Sequence, residues 1–379
     1  MDKEVKVVIG ANYGDEGKGL VSHCLTRAAA NSGRNVLNIF YNGGQQRGHT
    51  ADGKIHHCTG AGDSVGADTF YHRMFLVDPI ALWLERAEVF IDPDCRVVLP
   101  CDVVNNRAAE LERGTVERHG SCGMGIFEAS KRSKEAEYYL PAKLIWEDKK
   151  DLYDELIRVE KKYGYPRDIL YNNDNFMRAC EWVKFNCVPT YFDKIKNNYD
   201  TIIYEGGQGL LLDQTNRDDF PHLTPSSPGV RNIRSDIFDL GVQPELYYVS
   251  RSYLTRHGNG PMENETTAEE LFGDRYLVKT FIQDETNKTN AWQGCFRFGY
   301  LDNEKMLQRI RKDASELLTP GKINLVYTWL DYSRDDGIIR PDGKDGKIDK
   351  PSWVNAIFGS SDGKYIREYD AFRPCAIDR

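Results

Sequence analysis

Long apolar runs are absent from this sequence, since no stretch approaches the roughly 18 residues that a membrane-spanning helix needs. The first six residues, MDKEVK, are mostly charged and lack the apolar core of a secretory signal. A basic surplus is absent as well: the net charge is −8, which argues against non-specific binding to nucleic acid or to a membrane surface. We therefore expect a protein of the cytoplasm, or of the host cytoplasm if its source is viral.

Paired cysteine motifs are also missing. The chain has nine cysteines, an odd number, with no C-x-x-C spacing. This pattern argues against a disulfide framework or a zinc site and predicts reduced thiols. No internal repeat, low-complexity tract or linker interrupts the 379 residues. A single domain over residues 1–379 is the simplest interpretation, and such a chain buries roughly three quarters of its unfolded surface.

Apolar segments rich in β-branched residues alternate with helical periodicities along the chain. The predicted strands are 5–9, 36–40, 96–99, 201–204, 246–254 and 323–330, and the predicted helices are 19–30, 79–86, 144–162, 174–186 and 303–317. This alternation predicts an α/β fold, a single large domain with a central mostly parallel sheet flanked by helices. Ligands of such sheets bind at the carboxyl ends of the strands. The charged segments 131–150 and 335–350 are predicted to be surface helices and loops.

The most informative segment is residues 10–19, GANYGDEGKG, which links the first predicted strand to the first predicted helix. Its glycines allow backbone N–H groups to converge on one anion, and the helix N-terminus and Lys18 add positive charge. The segment matches neither G-x-x-x-x-G-K-[ST] nor G-x-G-x-x-G. It predicts a P-loop-like turn of another kind that holds phosphate, and the plain alternative is a tight turn with a solvated lysine. Asp15 favours the phosphate site, because a carboxylate there needs a metal ion or a proton to transfer.

Four segments, taken in order, resemble the adenylosuccinate synthetase family. They are GDEGKG at 14–19, GGQQRGHT at 43–50, EGGQGLLLD at 205–213 and TRHGNGP at 255–261. A fifth, GSCGMGI at 120–126, resembles the turn with which the family grips the 5′-phosphate of its substrate. The resemblance implies a ligase that joins L-aspartate to a purine 6-oxo monophosphate. A nucleoside triphosphate first phosphorylates the 6-oxygen, and the amine of aspartate then displaces phosphate.

The resemblance also implies roles for individual residues. It makes Asp15 the base that removes the purine N1 proton, His49 the acid beside the transferred phosphoryl group, and Lys18 the cation that neutralises it. The other implied contacts are Asn12, Gly14, Gly17, Gly19, Gly48, Thr50, Trp329 and Asp331 for the triphosphate, Ser121, Cys122, Arg132, Gln208 and Thr224 for the monophosphate, Thr289 and Arg297 for aspartate, and Asp15 and Gly48 for Mg²⁺.

Three of these residues keep a plainer interpretation. His49 is alternatively a structural histidine in a turn, and Trp329 is alternatively a core residue at a strand end. Arg132 resembles an arginine that family members lend to the neighbouring subunit, which would make the protein a homodimer; its alternative is a solvated charge on a helix.

Two departures from the family pattern concern the nucleotides. At 328–331, TWLD has Trp329 where the family has a lysine beside guanine, so ATP or dATP becomes a plausible donor besides GTP. At 292–302, WQGCFRFGYLD has Cys295 where the family has an arginine that contacts the ribose 2′-hydroxyl, which removes a reason to prefer a ribonucleotide. These departures resemble a phage branch of the family that acts on dGMP. Some members of that branch have serine at the loop aspartate, whereas this chain keeps Asp15.

The sequence thus favours a dGMP:L-aspartate ligase driven by ATP, dATP or GTP, which makes N6-succino-2-amino-2′-deoxyadenylate as a precursor of 2-aminoadenine for DNA. An IMP-dependent, GTP-driven adenylosuccinate synthetase is the second interpretation. A non-catalytic nucleotide-binding protein on the same fold is the third. The joint presence of Asp15, Lys18 and His49 argues against the third, because a binder has no use for a base and an acid.

Overall fold

A computed structural model describes residues 2–51, 54–114, 117–272, 296–329, 354–359 and 366–368, and the single positions 292 and 352. The strands are β1 (Glu4–Gly10), β2 (Val36–Phe40), β3 (His49–Ala51), β4 (Lys54–His56), β5 (Asp68–Tyr71), β6 (Leu76–Val77), β7 (Phe90–Ile91), β8 (Arg96–Val97), β9 (Val188–Pro189), β10 (Thr201–Gly209), β11 (Glu245–Arg251), β12 (Leu254–His257), β13 (Glu265–Thr266), β14 (Phe296–Gly299), β15 (Ile323–Thr328), β16 (Asn355–Gly359) and β17 (Ile366–Glu368). The α-helices are α1 (Lys18–Asn31), α2 (Pro79–Glu85), α3 (Pro100–Glu112), α4 (Ile126–Arg132), α5 (Lys149–Tyr163), α6 (Asn173–Asn186), α7 (Phe192–Ile195), α8 (Arg234–Leu240), α9 (Ala268–Phe272) and α10 (Asn303–Ala314).

The main sheet has the strand order β17-β16-β15-β11-β1-β10-β2-β5-β7-β9. Its neighbouring strands run parallel, except that β16 and β17 are antiparallel. The first strand of the chain, β1, lies between β10 and β11, so the loop after β1 opens near the middle of the sheet's carboxyl edge. The predicted fold, a single α/β domain with a large, mostly parallel sheet flanked by helices, is confirmed.

Both faces of the sheet are covered because side chains alternate along the central strand. Val7 and Ile9 of β1 pack on one face with apolar residues of α8 and α10. Val8 packs on the opposite face with Val21 of α1. Each such buried aliphatic side chain stabilises the fold by about 1.5 to 3 kcal/mol relative to exposure.

A second core lies beside the sheet, where α2, α3, α5 and α6 pack together. Its side chains include Leu82, Val103, Leu156, Phe176 and Val183. Helix α3 also packs against α4, and this contact supports the glycine turn at 120–125 that joins them. The helical layer therefore sets the position of one wall of the site described below.

The structure differs from the sequence prediction at several elements. Strand β10 continues through Gly209, so the glycines at 206–209 form the end of the strand instead of a turn after it. The predicted strand 246–254 divides into β11 and β12, and the predicted helix 144–162 begins later, as α5. Residues Arg96–Val97 pair with β6 in a separate two-stranded sheet. The predicted loop at 335–350 lies outside the described residues.

Two expectations from composition concern membranes and thiols. Within the described ranges, no helix has both the length and the apolar character that crossing a membrane would need. The cysteines in those ranges are free thiols: Cys24, Cys58, Cys95, Cys101, Cys122, Cys180 and Cys187.

The buried carboxyl group of Asp78 caps α2 and generates a prediction about pH and stability. Asp78 is 2% exposed and accepts hydrogen bonds from Ile80 N at 2.9 Å, Ala81 N at 3.2 Å and the Tyr171 hydroxyl at 3.0 Å. Burial raises the pKa of Asp78 to about 6, above its ordinary value of 3.8. Because the folded pKa is raised, this group's contribution to stability is complete below the unfolded pKa and is lost as the pH rises through about 6.

Asp78→Asn should therefore become relatively more stable, compared with the wild type, as the pH rises. Asparagine caps helices as well as aspartate does, and it carries no charge to bury. From about pH 4 to about pH 8 we expect the stability difference to shift in favour of the variant by at most roughly 3 kcal/mol. Urea denaturation at both pH values measures this shift. Asp148→Asn, at the exposed start of α5, is the matched control; an equal shift in the control would contradict the prediction.

Candidate active site

A cavity of about 740 Å³ lies at the carboxyl edge of the sheet. Four adjacent central strands deliver residues to it: the loop after β1, Gln208 at the end of β10, Arg251 at the end of β11, and Trp329 directly after β15. The volume lies within the range of small-molecule sites, about 300 to 1,000 Å³. Of the residues predicted from the sequence, those lining this cavity are Gly14, Asp15, Gly17, Lys18, Gly19, Gly48, His49, Thr50, Ser121, Cys122, Gln208, Thr224 and Trp329.

The loop after β1 is closed by a carboxylate of its own. Glu16 Oε1 accepts hydrogen bonds from Asn12 N at 3.0 Å and Gly14 N at 2.8 Å, and Glu16 Oε2 lies 2.8 Å from Lys18 Nζ. The Lys18 and Glu16 side chains are 2% and 3% exposed. Glycine at position 10 leaves room for this ion pair, since a Cβ there would lie 2.5 Å from Glu16 Oε2 and 2.9 Å from Lys18 Nζ. The N–H groups of this loop thus converge on an anion, but the anion that they hold here is the Glu16 carboxylate; binding of phosphate by the loop stays a prediction.

The start of α1 supplies further donors for a ligand. Gly17 precedes the helix with φ 92°, and no side chain caps the helix start. Lys18, Gly19 and Leu20 of the first turn line the cavity. The N–H groups of a helix's first turn have no partner within the helix, and the helix dipole favours an anion beside them. This helix start is therefore the part of the loop that fits a phosphate group.

Asp15 is held by its backbone while its carboxylate faces the cavity. Its φ of 60° is left-handed, a conformation that aspartate tolerates better than most residues. Arg251 Nε donates to Asp15 O at 2.5 Å, and the Thr328 hydroxyl donates to the neighbouring carbonyl of Glu16 at 2.7 Å. The Asp15 side chain is 37% exposed, and His257 Nε2 lies 3.7 Å from Asp15 Oδ2. The ends of β11 and β15 thus fix the loop and leave the Asp15 carboxylate accessible.

His49 belongs to a buried cluster with Glu205 and Arg47. His49 Nδ1 lies 2.5 Å from Glu205 Oε1 and 2.8 Å from Arg47 Nη2. Because a carboxylate only accepts and a guanidinium only donates, Nδ1 bonds to Glu205 when it carries a proton and to Arg47 when it does not. Arg47 Nη2 also donates to Glu205 Oε1 at 2.6 Å, with its guanidinium 3.6 Å from the centre of the Phe40 ring. Glu205 Oε2 accepts from Ala61 N at 3.1 Å. Burial first, and the charge of Arg47 second, lower the pKa of His49 to about 4, so the ring is neutral near pH 7 in this structure.

The opposite wall of the cavity is the glycine turn at 120–125. The Ser121 hydroxyl pairs with Asn106 of α3, whose Nδ2 lies 3.0 Å from Ser121 Oγ. Desolvation raises the pKa of the Cys122 thiol to about 11, so the thiol stays neutral beside an anion. Thr224 also lines this end, and its Oγ1 is buried without a hydrogen-bonding partner among the described residues. Gln208 Oε1 accepts a hydrogen bond from Asn42 Nδ2 at 2.8 Å, so the Gln208 amide nitrogen, Nε2, is the atom that can donate to a ligand.

Arg132 does not reach the cavity, so its expected role is not supported here. The residue is fully buried in its own subunit. Its guanidinium bonds to Asp102 at 2.8 Å, to Tyr138 O at 2.7 Å and to Val97 O at 2.6 Å. A guanidinium that is fully buried and bonded in this way is not accessible to a neighbouring subunit. Neither expectation for Arg132, contact with a neighbouring subunit or a solvated charge on a helix, fits the structure. Arg132 is a core residue that links α4 to α3 and β8.

Two other predicted contacts lie away from the cavity wall. The Asn12 side chain bonds to Ser250 Oγ at 2.8 Å and to Arg309 Nη2 at 2.7 Å, beneath the loop. Arg297 pairs with Glu265 and donates to the carbonyls of Gly258 and Gly260 at 2.9 Å each. Both residues support loops instead of presenting their side chains to a ligand. Thr289, Asp331 and Cys295 lie outside the described residues.

Trp329 borders the cavity with a positive φ of 59°. The Arg251 guanidinium lies 4.1 Å from the centre of its ring, and the indole also packs at the edge of an apolar cluster that contains Tyr253 and Phe272. The residue is neither a fully buried core tryptophan nor an isolated stacking surface. Its position, one residue beyond β15 and near the Asp15 loop, fits contact with a nucleotide base.

Sequence reasoning missed the residues that support this site. Glu16 and Glu205 both stand in the quoted motifs, and their acidic side chains beside Lys18 and His49 were the available signal. Arg47 also stands in a quoted motif, but its sequence position did not indicate a partner. Only the fold brings Arg47 next to Glu205 and Arg251 next to Trp329.

The site fits Mg²⁺ only together with a phosphate ligand. Within the described residues, no group of three His, Cys, Asp or Glu side chains is arranged to hold a metal ion. Magnesium in phosphoryl-transfer sites is bound by one or two carboxylates plus phosphate oxygens, and the accessible carboxylate of Asp15 meets that minimum. Gly48 lines the same cavity and has a backbone carbonyl.

Comparison with known proteins agrees with this geometry. The family model "Adenylosuccinate synthetase" matches residues 7–318. The adenylosuccinate synthetase of Psychrobacter arcticus is 28% identical over 343 residues, which cover 82% of this chain and 74% of the relative. That of Francisella philomiragia is 26% identical over 332 residues, which cover 78% of this chain and 72% of the relative.

Two solved structures show the same fold. The fully ligated adenylosuccinate synthetase of Plasmodium falciparum has a TM-score of 0.67 and 19% identity, over 87% of this chain and 77% of that chain. The succinoaminodeoxyadenylate synthetase of cyanophage S-2L, bound to dGMP and dATP, has a TM-score of 0.59 and 15% identity, over 95% of this chain and 93% of that chain. Since the family model spans most of the sequence, this chain belongs to the adenylosuccinate synthetase family, the carbon–nitrogen ligases that join aspartate to an IMP-like nucleotide at the expense of a nucleoside triphosphate.

Proposed function

We propose that this family member joins L-aspartate to dGMP, with ATP, dATP or GTP as the phosphoryl donor. The product is N6-succino-2-amino-2′-deoxyadenylate, a precursor of 2-aminoadenine for DNA. One observation carries the ligase chemistry: a single cavity joins the Asp15–Lys18 loop to the glycine turn at 120–125. A triphosphate at the first and a monophosphate at the second would meet at Asp15.

The first step is transfer of a phosphoryl group to the purine 6-oxygen. The Asp15 carboxylate takes the N1 proton, and the electron pair of the N1–H bond shifts onto O6. O6 then bonds to the γ-phosphorus, and the bond from that phosphorus to the bridging oxygen breaks to release the nucleoside diphosphate. Lys18 and the helix start of α1 lie where negative charge gathers, so they stabilise this step.

The second step replaces the new phosphate group by aspartate. The amine nitrogen bonds to C6, the C6–O bond breaks with its electrons leaving on inorganic phosphate, and the nitrogen loses a proton. His49 lies with Asp15 and Lys18 on the cavity wall, and its Nδ1 is bonded to Glu205 or Arg47. This leaves Nε2 as the ring nitrogen for contact with phosphate oxygen. Desolvation lowers the pKa of His49 and keeps the ring neutral. The negative charge of a bound phosphate acts in the opposite direction and favours the protonated ring.

Members of the family depend on Mg²⁺, and Asp15 with the Gly48 carbonyl would hold it here. When bound, this ion supplies charge neutralisation at the β- and γ-phosphate oxygens. The residues of the chain still determine where the proton goes and how the purine is oriented. Gln208 contributes to orientation, because its amide group can donate to a purine carbonyl or phosphate oxygen.

One observation favours dGMP over IMP. The match with the cyanophage enzyme covers 95% of this chain and 93% of that enzyme, whereas this chain covers only 77% of the Plasmodium synthetase and 74% of the Psychrobacter relative. Trp329 bears on the donor instead: it stands beside the Asp15 loop, where a large aromatic ring can stack on any purine base, so ATP or dATP is a candidate besides GTP. The ordinary IMP-dependent reaction remains the second candidate, favoured by the higher TM-score of the Plasmodium structure and by the retained Asp15.

Turnover assays with dGMP and with IMP distinguish the two substrates. Purified protein with aspartate, Mg²⁺ and ATP, dATP or GTP should release phosphate with dGMP and form the succino-deoxynucleotide. We expect kcat/KM for dGMP to exceed that for IMP by at least about tenfold, the effect of about 1.4 kcal/mol of differential transition-state binding. Turnover of IMP alone would overturn the dGMP assignment and keep the ligase.

Asp15→Ala tests the proposed base. Loss of a general base should lower kcat by about 100- to 10,000-fold, while affinity for dGMP, measured without Mg²⁺ or donor, stays close to that of the wild type. Asp239→Ala, on the exposed face of α8, is the matched control. Unchanged turnover in Asp15→Ala, measured with calorimetric binding alongside, would sink the proposed mechanism.

Glu16→Gln tests whether the loop depends on its internal carboxylate. Glutamine can still accept from Asn12 N and Gly14 N, but its amide leaves the buried ammonium of Lys18 without a counter-charge. Breaking such a pair should cost about 3 to 5 kcal/mol of folding stability, measured by urea denaturation. Adding Lys18→Met should recover most of that stability without restoring turnover. If the single variant is as stable as the wild type, Glu16 does not organise the loop.

Trp329→Leu tests donor binding. If Trp329 contacts the base of the triphosphate, its loss should raise KM for the donor by roughly tenfold, since stacking on an aromatic ring contributes about 1 to 3 kcal/mol per base. KM for dGMP should change little. Equal changes in both KM values would show that Trp329 only supports the fold of the cavity wall.

A further inference from the structure

Arg251, at the end of β11, contacts two parts of the cavity wall with different atoms. The residue is 3% exposed and borders the cavity. Its Nε donates to Asp15 O at 2.5 Å, and its guanidinium carbon lies 4.1 Å from the centre of the Trp329 ring. The N–H groups of a guanidinium lie in its plane, so the group can stack by its face while it donates by its edge. Arg251 uses both properties at once.

Aromatic side chains confine the Arg251 guanidinium. Its carbon lies 5.3 Å from the centre of the Phe296 ring and 5.8 Å from that of Tyr253, besides the closer contact with Trp329. Nη1 also donates to the Tyr253 hydroxyl at 3.3 Å. A cation is attracted to the face of an aromatic ring, and the attraction is stronger away from water. The guanidinium is therefore held in one place, and a change that breaks one of its contacts disturbs the others.

The strand that carries Trp329 packs on the loop after β1. Thr328 Oγ1 donates to Glu16 O at 2.7 Å. A Cβ at Gly17 would lie 3.4 Å from Thr328 Cγ2, so the end of β15 is in direct contact with this loop. The Trp329 side chain is partly exposed and lines the cavity. The ring that would meet a nucleotide base thus stands against the loop that carries the proposed base catalyst.

The contact with Asp15 O matters because Asp15 has a left-handed backbone. Its φ of 60° is uncommon outside glycine and persists where neighbouring groups hold it. The Arg251 Nε–H is such a group, since it bonds to the carbonyl of this residue. His257 Nε2, which lies 3.7 Å from Asp15 Oδ2, is too distant for a hydrogen bond. Of these two contacts, the one from Arg251 therefore determines where the Asp15 carboxylate points.

We propose that Arg251 is a positioning residue both for binding of the donor and for proton transfer. The face of its guanidinium supports Trp329 against the base of the triphosphate, and its Nε–H orients Asp15 for removal of the N1 proton. Arg251 acts through these two residues and does not touch the reacting atoms. The inference rests on the proposed function, which places the donor base at Trp329 and the purine N1 at Asp15.

A purely electrostatic role is the alternative, because a cation near the phosphates would also stabilise their negative charge. The structure favours positioning, since protein contacts already use both the Nε–H and the face of the guanidinium. Lysine separates the two roles. Its ammonium keeps the charge of Arg251 but has neither a planar face to stack on the indole nor a donor at the Nε position.

Steady-state kinetics of Arg251→Lys and Arg251→Met test the proposal, with dGMP, aspartate, Mg²⁺ and the triphosphate that the wild type uses best. A misplaced Asp15 should lower kcat by about 10- to 100-fold. An unsupported Trp329 should raise KM for the donor by about three- to tenfold, and KM for dGMP should change by less than about twofold. Arg234→Met, whose native side chain is 53% exposed at the start of α8, is the matched control and should keep wild-type kinetics. Wild-type kcat in Arg251→Lys would show that charge alone suffices and would overturn the proposal.

A double-mutant cycle with Trp329→Leu measures the two contacts separately. In the Trp329→Leu background, Arg251→Met should add less than about twofold to KM for the donor, because the ring that Arg251 supports is gone. It should still lower kcat as strongly as in the wild type, because the contact with Asp15 O does not pass through the indole. Fully additive effects on KM for the donor, or a kcat loss that disappears with Trp329, would contradict the proposal.

Calorimetric binding of dGMP, without Mg²⁺ or donor, checks that each variant is folded. Affinity should stay within about twofold of the wild type. If Arg251→Met fails this check, the cycle is carried out with Arg251→Lys, which keeps the buried charge. Loss of dGMP binding in both variants would show that Arg251 supports the fold of the whole cavity, and it would overturn the specific positioning role.

The outcomes distinguish this proposal from the proposed function. If the wild type joins aspartate to dGMP or IMP while the Arg251 variants keep its kcat or its KM for the donor, the positioning role is wrong and the ligase assignment stands. If the wild type acts on neither monophosphate, the proposed function fails, and the positioning role fails with it.

Discussion

The Glu16 carboxylate holds together the loop on which the site depends. It accepts the N–H groups of Asn12 and Gly14 and pairs with Lys18, all in the protein interior. A charge buried in this way is stable only while its partners are present, so the loop, its lysine and its carboxylate form one unit. The unit lies beneath the cavity wall and directs the neighbouring Asp15 and the first turn of α1 toward the ligand side. The residue that shapes the chemistry is therefore one that does not line the cavity.

The sheet provides the second constraint, because it brings distant parts of the chain to one edge. The parallel order β15-β11-β1-β10 places Trp329, Arg251, the Asp15 loop and Gln208 side by side, although they span most of the sequence. Their backbones are tied across strands by Arg251 to Asp15 O and by Thr328 to Glu16 O. Such cross-strand contacts fix the Asp15–Lys18 loop to the carboxyl edge of the sheet. The helical layer carries the opposite wall, so the cavity forms where the two cores meet.

The sequence was sufficient to predict the fold class and the central strands, because β1, β2 and β15 are apolar runs whose length and composition are typical of buried strands. It was also sufficient for placing the Asp15–Lys18 loop at the carboxyl edge of the sheet and for identifying a turn at 120–125, since glycine spacing is a local signal. It was insufficient where a residue's role depends on distant neighbours. Arg132 was expected to reach a neighbouring subunit, with a solvated helix charge as the alternative, yet Asp102 and two carbonyl groups bond its guanidinium in the interior. Arg251 and Trp329 lie far apart in the sequence and meet only because β11 and β15 are neighbouring strands.

The left-handed backbone at Asp15 has a consequence for how this position can change in evolution. At φ 60° a β-branched residue would clash with its own backbone, whereas aspartate, asparagine and glycine are tolerated. Short polar or absent side chains are therefore the accessible replacements, and each of them leaves the loop path intact. A lineage could exchange the chemical group that this position presents to the cavity by a single codon change, without rebuilding the turn, the helix start or the strands that anchor them.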